Sequence, residues 1–189
     1  MLDKISALTV SHDFVRRNLK EGSFAIDCTA GRGYDTVFLG ECVGKSGRVL
    51  AFDIQDEAIN STNERIKAQG LEDICTVIKE SHSNIDKYAV AQTVDCIMFN
   101  FGWLPNGDHK INTKKETSIE AIDKGLEALK IGGIMSLCIY YGRDTGFEEK
   151  EAILEHLKII DDKKYTVIVG EFVNRGNCPP IPVFIVKQG

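Results

Sequence analysis

Residues 24–40 read FAIDCTAGRGYDTVFLG. An apolar run ends on Asp27, a turn follows with Gly31 and Gly33 two apart, and YDTVFLGECV then continues at helical spacing. A backbone that turns so tightly can come close to a ligand, and the helix behind the turn offers free N–H groups. The next apolar run, GRVLAFDI, ends near Asp53. An acid about twenty residues beyond the first strand is the usual acceptor for ribose hydroxyls, so the pair of acids and the turn suit a nucleoside. A tight structural turn with no ligand is the alternative reading of the glycines alone. A dinucleotide fingerprint starting at Gly31 would need glycine at position 36, where the chain has Thr36, and pyrophosphate binding loses its main support.

Outward from this stretch the pattern repeats. Ile5, Leu8, Val15 and Leu19, with His12 on the same stripe, predict an amphipathic first helix within residues 1–20, covering the cofactor and substrate end. SFAIDC, GRVLAFDI, ICTVIK, VDCIMFN, GGIMSLCIYY, YTVIVGEFV and IPVFIVKQ read as strands. YDTVFLGECV, DEAINSTNERIKAQG, KKETSIEAIDKGLEAL and FEEKEAILEHL read as the helices between them. Strands alternating with helices predict an α/β fold, a Rossmann-like, mostly parallel seven-stranded sheet with helices on both faces. NRGNCPP holds no helix, so the last two strands pair antiparallel at one edge. The apolar IPVFIV run could pair across a homodimer, and core burial explains it equally well.

At 189 residues with 43% hydrophobic and 27% charged residues, the chain fits one globular domain spanning 1–189. Charges run throughout MLDKISALTVSHDFVRRNLK, which lacks the apolar core and cleavage site of a signal peptide, and no apolar window is long enough for a membrane helix, so a cytoplasmic location without membrane attachment is expected. Cys28, Cys42, Cys75, Cys96, Cys138 and Cys178 form no C-x-x-C pair and read as reduced, buried thiols. His82, His109 and His156 make no metal pattern, and no metal is expected. A net charge of -5 gives no global field for nucleic acid, so an RNA partner must be held by local patches. Arg16, Arg17 and Lys20, then His109, Lys110, Lys114 and Lys115, then Arg143 lie in segments that could rim one end of the sheet, although Lys114 and Lys115 are equally well the solvated start of a helix.

The second informative stretch is MFNFGWLPNGDHKINT, residues 98–113, a strand end at Asn100 followed by a loop. An amide oxygen, backbone carbonyls and an aromatic ring can accept amine N–H groups, aim the nitrogen lone pair and pack the substrate, so that positioning supplies most of the rate. A rigid surface turn with Trp103 as a core plug is the other reading. Asp108, His12 or Tyr141 could take the proton that an alkylammonium must lose, with Asn100 as the orienting residue.

The acid, small-residue turn and second acid resemble the S-adenosyl-L-methionine site of class I methyltransferases. More narrowly, DCTAGRGYDTVFL, NFGWLPNGD, YYGRDTG and the SHDFV of the first helix are similar to the YtqB-like proteins, a bacterial family labelled "putative rRNA methylase", over nearly the whole chain. That resemblance implies S-adenosyl-L-methionine at Asp27, Thr29, Ala30, Gly31, Gly33, Asp35, Thr36, Asp53, Gln55, Ser81, His82 and Asn100. It implies catalytic roles for Asn100, Tyr141 and Asp108, and substrate contacts at His12, Gly102, Trp103, Leu104 and Arg143. It further implies methylation of the 5-aminomethyl group of the wobble uridine, with the tRNA anticodon loop as partner. The same chemistry on ribosomal RNA or a small amine is the alternative, and a Rossmann-like binding protein or nicotinamide-dependent oxidoreductase is the competing class. The family pattern has Asn and His where this chain has Arg32 and Tyr34, Tyr at Trp103 and Gly at Asn106.

Overall fold

The computed structural model describes residues 5–102 and 113–189, without the side chains of 143–145. Helix α1 (Ala7–Asn18) leads into β1 (Phe24–Asp27), α2 (Tyr34–Val43), β2 (Arg48–Asp53), α3 (Asp56–Ala68) and β3 (Cys75–Lys79). A short 3-10 helix (His82–Lys87) connects to β4 (Val94–Phe101), α4 (Lys115–Ala128), β5 (Leu129–Ile139), α5 (Arg143–Lys158), β6 (Tyr165–Val169) and β7 (Ile181–Lys187). The strands form one sheet in the order β3-β2-β1-β4-β5-β7-β6. The order steps outward from β1 in both directions, so the crevice that such reversals create lies beyond the carboxyl ends of β1 and β4.

The parity of the strands sorts the side chains. Ile26, Ile97 and Phe99 face one layer, packed with Ala121 and Ile122 of α4 and Ile153 of α5. Ala25, Val49, Cys96 and Met98 face the other, packed with Val15 of α1 and Phe38 and Leu39 of α2. Full burial of Phe52, Phe99 and Phe101 contributes about 1.5–3 kcal/mol each relative to exposure. Since successive side chains alternate faces, Asp27 and Asp53, which end β1 and β2, and Asn100, one residue before the end of β4, all lie on the α1–α2 side.

Several details differ from the sequence reading. The buried stripe of α1 is Ala7, Ser11 and Val15, whereas Ile5 precedes the helix and is exposed. Small residues at these positions let α1 approach the sheet closely enough for Ser11 Oγ to reach Cys138 Sγ at 3.2 Å. Strand β5 starts at Leu129, ahead of its Gly-Gly pair, because a register shift against β4 absorbs the glycines, with Gly132 at φ +78°. As expected, the last two strands pair antiparallel at one edge, with β7 running against the rest of the sheet and β6 outermost. Strand β7 pairs with β5 on one side and β6 on the other, so its backbone has no open edge with which to build a dimer. All six cysteines are free; Cys28, Cys75, Cys96 and Cys138 are buried as expected, whereas Cys42 is half-buried and Cys178 is exposed. Among the described residues no helix is long and apolar enough to cross a membrane.

Candidate active site

The glycine turn is built by three short backbone hydrogen bonds: Ala30 N–H to Phe52 O at 2.9 Å, Gly33 N–H to Ala30 O at 2.7 Å, and Val37 N–H to Gly33 O at 3.1 Å. Gly31 (φ +53°) and Gly33 (φ +77°) both take left-handed conformations, which cost other L-residues free energy. At Gly33 a Cβ would also stand 2.9 Å from Thr62 Cα, so α3 closes on this turn. Asp53 ties the turn to β2. Its Oδ2 accepts Gly31 N–H and its Oδ1 accepts Gln55 N–H, both at 3.0 Å, and the residue remains partly exposed.

Asp27 is fully buried. Its Oδ1 accepts Thr29 N–H at 3.1 Å and its Oδ2 accepts the Thr36 hydroxyl at 2.6 Å. Burial, and secondarily the nearby Asp35, raises its carboxyl to about 7, and the two hydrogen bonds only partly oppose this. Thr29 also accepts the backbone N–H of Asn100 at 2.7 Å, which ties the end of β4 to the loop after β1. The Asn100 side chain donates from Nδ2 to Asp35 Oδ2 at 2.6 Å, and His12 Nε2 lies 2.7 Å from Asp35 Oδ1. The His12 ring stacks on Phe38 with centroids 3.9 Å apart and planes 7° from parallel. His12 is therefore both a hydrogen-bonded residue and part of the site's wall, with a quarter of its side chain exposed.

The expected residues thus separate into groups. Asp27, Thr29, Ala30, Gly31, Gly33, Asp35, Thr36, Asp53, Gln55, Asn100 and His12 form one connected cluster. Ser81 caps the 3-10 helix, its hydroxyl accepting Ser83 N–H at 3.3 Å. His82 lies on the opposite face, edge-on to Phe99 and Phe101. Burial lowers its imidazole to about 4, which a hydrogen bond to the Cys28 backbone only partly offsets, and its Nε2 is buried without a partner among the described residues. Tyr141 is turned toward α5, edge-on to Phe147 with Lys150 Nζ 4.9 Å over its ring. Trp103, Leu104 and Asp108, together with the side chain of Arg143, lie outside the described residues, as do His109 and Lys110.

The basic rim is smaller than the sequence suggests. Lys20 leads through a turn into the start of β1, where Gly22 N–H meets Val43 O at 2.8 Å, so the end of α1 sits at the amino ends of the strands, away from the site. Arg16 lies over Phe38 at 5.3 Å. Lys114 and Lys115 do start α4 beyond the carboxyl end of β4.

Glu149 was not singled out from sequence. Its carboxylate is buried in α5 and accepts the hydroxyls of Thr113 (2.8 Å) and Ser118 (2.7 Å). Thr113 in turn meets Gly102, whose N–H reaches its Oγ1 at 2.9 Å, so the two described ends of the segment after β4 are held together. The available signal is periodicity, since Glu149 occupies a core position of α5 with Ile153 and Leu157. Gly102 (φ +138°) is also tightly placed, with its Cβ position 3.0 Å from Tyr140 Cβ.

This sheet order, the antiparallel β7 and the acids ending β1 and β2 define a class I S-adenosylmethionine-dependent methyltransferase. The family model described as "Putative rRNA methylase" matches residues 49–186, and the chain belongs to that family. A second model, for protein-L-isoaspartate(D-aspartate) O-methyltransferase, matches residues 3–94. The chain is 32% identical over 191 residues to an Arabidopsis thaliana protein named "tRNA (mnm(5)s(2)U34)-methyltransferase, chloroplastic", covering 96% of this chain and 69% of that one. A solved structure described as a "putative rRNA-methylase" from Clostridium thermocellum is 49% identical with TM-score 0.95, over 98% of this chain and 100% of that one. Another, a "putative methyltransferase" from Streptococcus mutans in complex with SAH, is 36% identical with TM-score 0.88 over the full length of both.

Proposed function

We propose that residues 1–189 act as one domain that methylates the 5-aminomethyl group of the wobble uridine in tRNA, with S-adenosylmethionine as methyl donor. The observation that carries this reading is the fixed carboxamide of Asn100 at the carboxyl end of β4, held by Asp35 through its side chain and by Thr29 through its backbone. The name of the Arabidopsis relative supplies the substrate class.

The residues fit the cofactor. Asp53 has a partly exposed carboxylate at the end of β2 whose remaining lone pairs suit a ribose diol. The carboxylate of Asp53 lies close enough to Asp27 to help raise its carboxyl, so negative charge gathers at this end of the sheet, which favours a bound cation. When bound, S-adenosylmethionine supplies a methyl group on a positively charged sulfonium sulfur. Asp53 and Gln55 would hold the ribose, and the Thr29–Gly33 turn would lie beside the methionine portion. Asn100 Oδ1 would accept an N–H of the neutral amine and so fix the direction of the nitrogen lone pair. The rate gain would come from this orientation, without a covalent protein intermediate. Lys114 and Lys115 offer phosphate contacts to an anticodon loop.

The test is nucleoside mass analysis of tRNA carrying 5-aminomethyl-2-thiouridine after incubation with the protein and S-adenosylmethionine. A gain of one methyl on that nucleoside supports the reading. No gain there, with methylation of ribosomal RNA or of a free amine instead, replaces the substrate while keeping the enzyme class.

A further inference from the structure

Asp35 opens α2 with only 6% of its side chain exposed, and both of its oxygens are engaged by side chains from other elements. Oδ1 faces His12 Nε2 of α1 at 2.7 Å, and Oδ2 accepts Asn100 Nδ2 of β4 at 2.6 Å. A carboxylate can only accept hydrogen bonds. The amide of Asn100 must therefore turn its NH2 to Asp35, and its Oδ1 is directed away. With no such partner, a half-turn of the amide would exchange acceptor for donor at the same place. An amine that must donate an N–H would then meet another donor.

The rest of the chain of contacts fixes the two ends. Thr29 holds the Asn100 backbone at 2.7 Å, so the amide can change only by rotation of its own side chain. On the other side, His12 is immobilised by its stack on Phe38 and supplies the second hydrogen bond that keeps Asp35 in one rotamer. We propose that Asp35 is a positioning residue for methyl transfer: the His12–Asp35–Asn100 chain locks the Asn100 carboxamide with its oxygen toward the substrate amine. This rests on the role given to Asn100 above and adds that Asp35 acts through Asn100 and is not a cofactor ligand.

The experiment compares wild type, Asp35→Asn, Asn100→Ala, the double variant and His12→Phe, on tRNA carrying 5-aminomethyl-2-thiouridine. Asp35→Asn is expected to lower kcat about 10- to 100-fold, the loss of one charge-assisted hydrogen bond. Affinity for S-adenosylhomocysteine by calorimetry should change less than about threefold, well under the tenfold step of a full hydrogen-bond loss. In the Asn100→Ala background the same substitution should cost almost nothing, since the two act as a unit. His12→Phe keeps the stack but not the hydrogen bond and should show the same split at smaller size, which preserves the test if Asp35→Asn folds poorly. Independently of turnover, the side-chain amide NMR signal of Asn100, assigned by its absence in Asn100→Ala, should move in Asp35→Asn. A loss of cofactor affinity parallel to kcat, additive effects in the double variant, or an unmoved amide signal would each overturn the proposal. Wild type that binds S-adenosylhomocysteine yet leaves this tRNA unmethylated would instead overturn the functional reading on which it rests.

Discussion

Replacing Asp53 by alanine removes the carboxylate that joins the glycine turn to β2. Two backbone N–H groups, those of Gly31 and Gln55, lose acceptors at 3.0 Å. Because Asp53 is partly exposed, water can satisfy both, and the fold should lose no more than about 1 kcal/mol. The ligand has no such substitute, since a hydrogen bond to a charged group contributes about 1.5–3 kcal/mol, or roughly 10- to 150-fold in affinity. Asp53→Asn keeps one acceptor oxygen but must turn an NH2 toward either a backbone donor or the ribose, and should fall about tenfold short of wild type. Calorimetric titration with S-adenosylhomocysteine at neutral pH reads both numbers, with a thermal melt to show that each variant is folded. A folded Asp53→Ala protein that binds as tightly as wild type would refute the assignment of the ribose to this residue.

Asp27 predicts a pH dependence of stability. Its native carboxyl is raised to about 7 from an ordinary 3.8, chiefly by burial, so its stabilising contribution is complete below about pH 4 and is lost as pH climbs through 7. Asp27→Asn should accordingly gain on wild type across that window, by roughly 2–4 kcal/mol at its upper end, and urea midpoints at pH 4 and pH 8 check it; parallel curves for the two proteins would contradict it. Gly33→Ala combines a left-handed φ of +77° with a Cβ 2.9 Å from Thr62 Cα and should cost about 2–4 kcal/mol; an unchanged denaturation midpoint would show that α3 can yield there. Arg65→Ala removes the Nε–H donated to Arg32 O at 2.7 Å and the guanidinium 3.7 Å over Tyr34. Cofactor affinity should weaken about 3- to 10-fold with kcat at saturating cofactor unchanged, and a fall in kcat alone would contradict the turn-holding role.

The alternation of strands and helices was legible because central parallel strands are buried on both faces and stand out as short apolar runs between helical periods. FAID of β1 and VDCIMFNF of β4 are such runs. Boundaries failed where glycine had two meanings. Gly132 and Gly133 read as a turn before β5, yet they occupy an irregularity inside it, where a Cβ on Gly133 would meet Val94 O at 3.0 Å. The acids at the ends of β1 and β2 and Asn100 at the end of β4 could be picked out for a related reason, since each is the first polar residue after an apolar run. Their common face then follows from strand parity.

What sequence could not reveal is which of these groups bond to which. His12 and Asp35 lie 23 positions apart and Asp35 and Asn100 lie 65 apart, and they meet only because His12 of α1 stacks on Phe38 of α2 and Asp35 opens α2 beside Asn100 of β4. Two of the departures from the family pattern, Arg32 and Tyr34, follow the same logic. Arg32 and Tyr34 point outward, Arg32 pairing with Glu57 at 2.8 Å and Tyr34 lying exposed beneath Arg65. Neither joins the hydrogen-bonded chain of Asp27, Thr29, Asn100, Asp35 and His12. An exchange of polar and aromatic side chains on the outside of the turn changes how α3 braces it while leaving the inward donors and acceptors in place. Variation at Arg32 and Tyr34 is therefore expected to act on the stiffness of the glycine turn, while Asp27, Thr29, Asp35 and Asn100 keep their mutual hydrogen bonds.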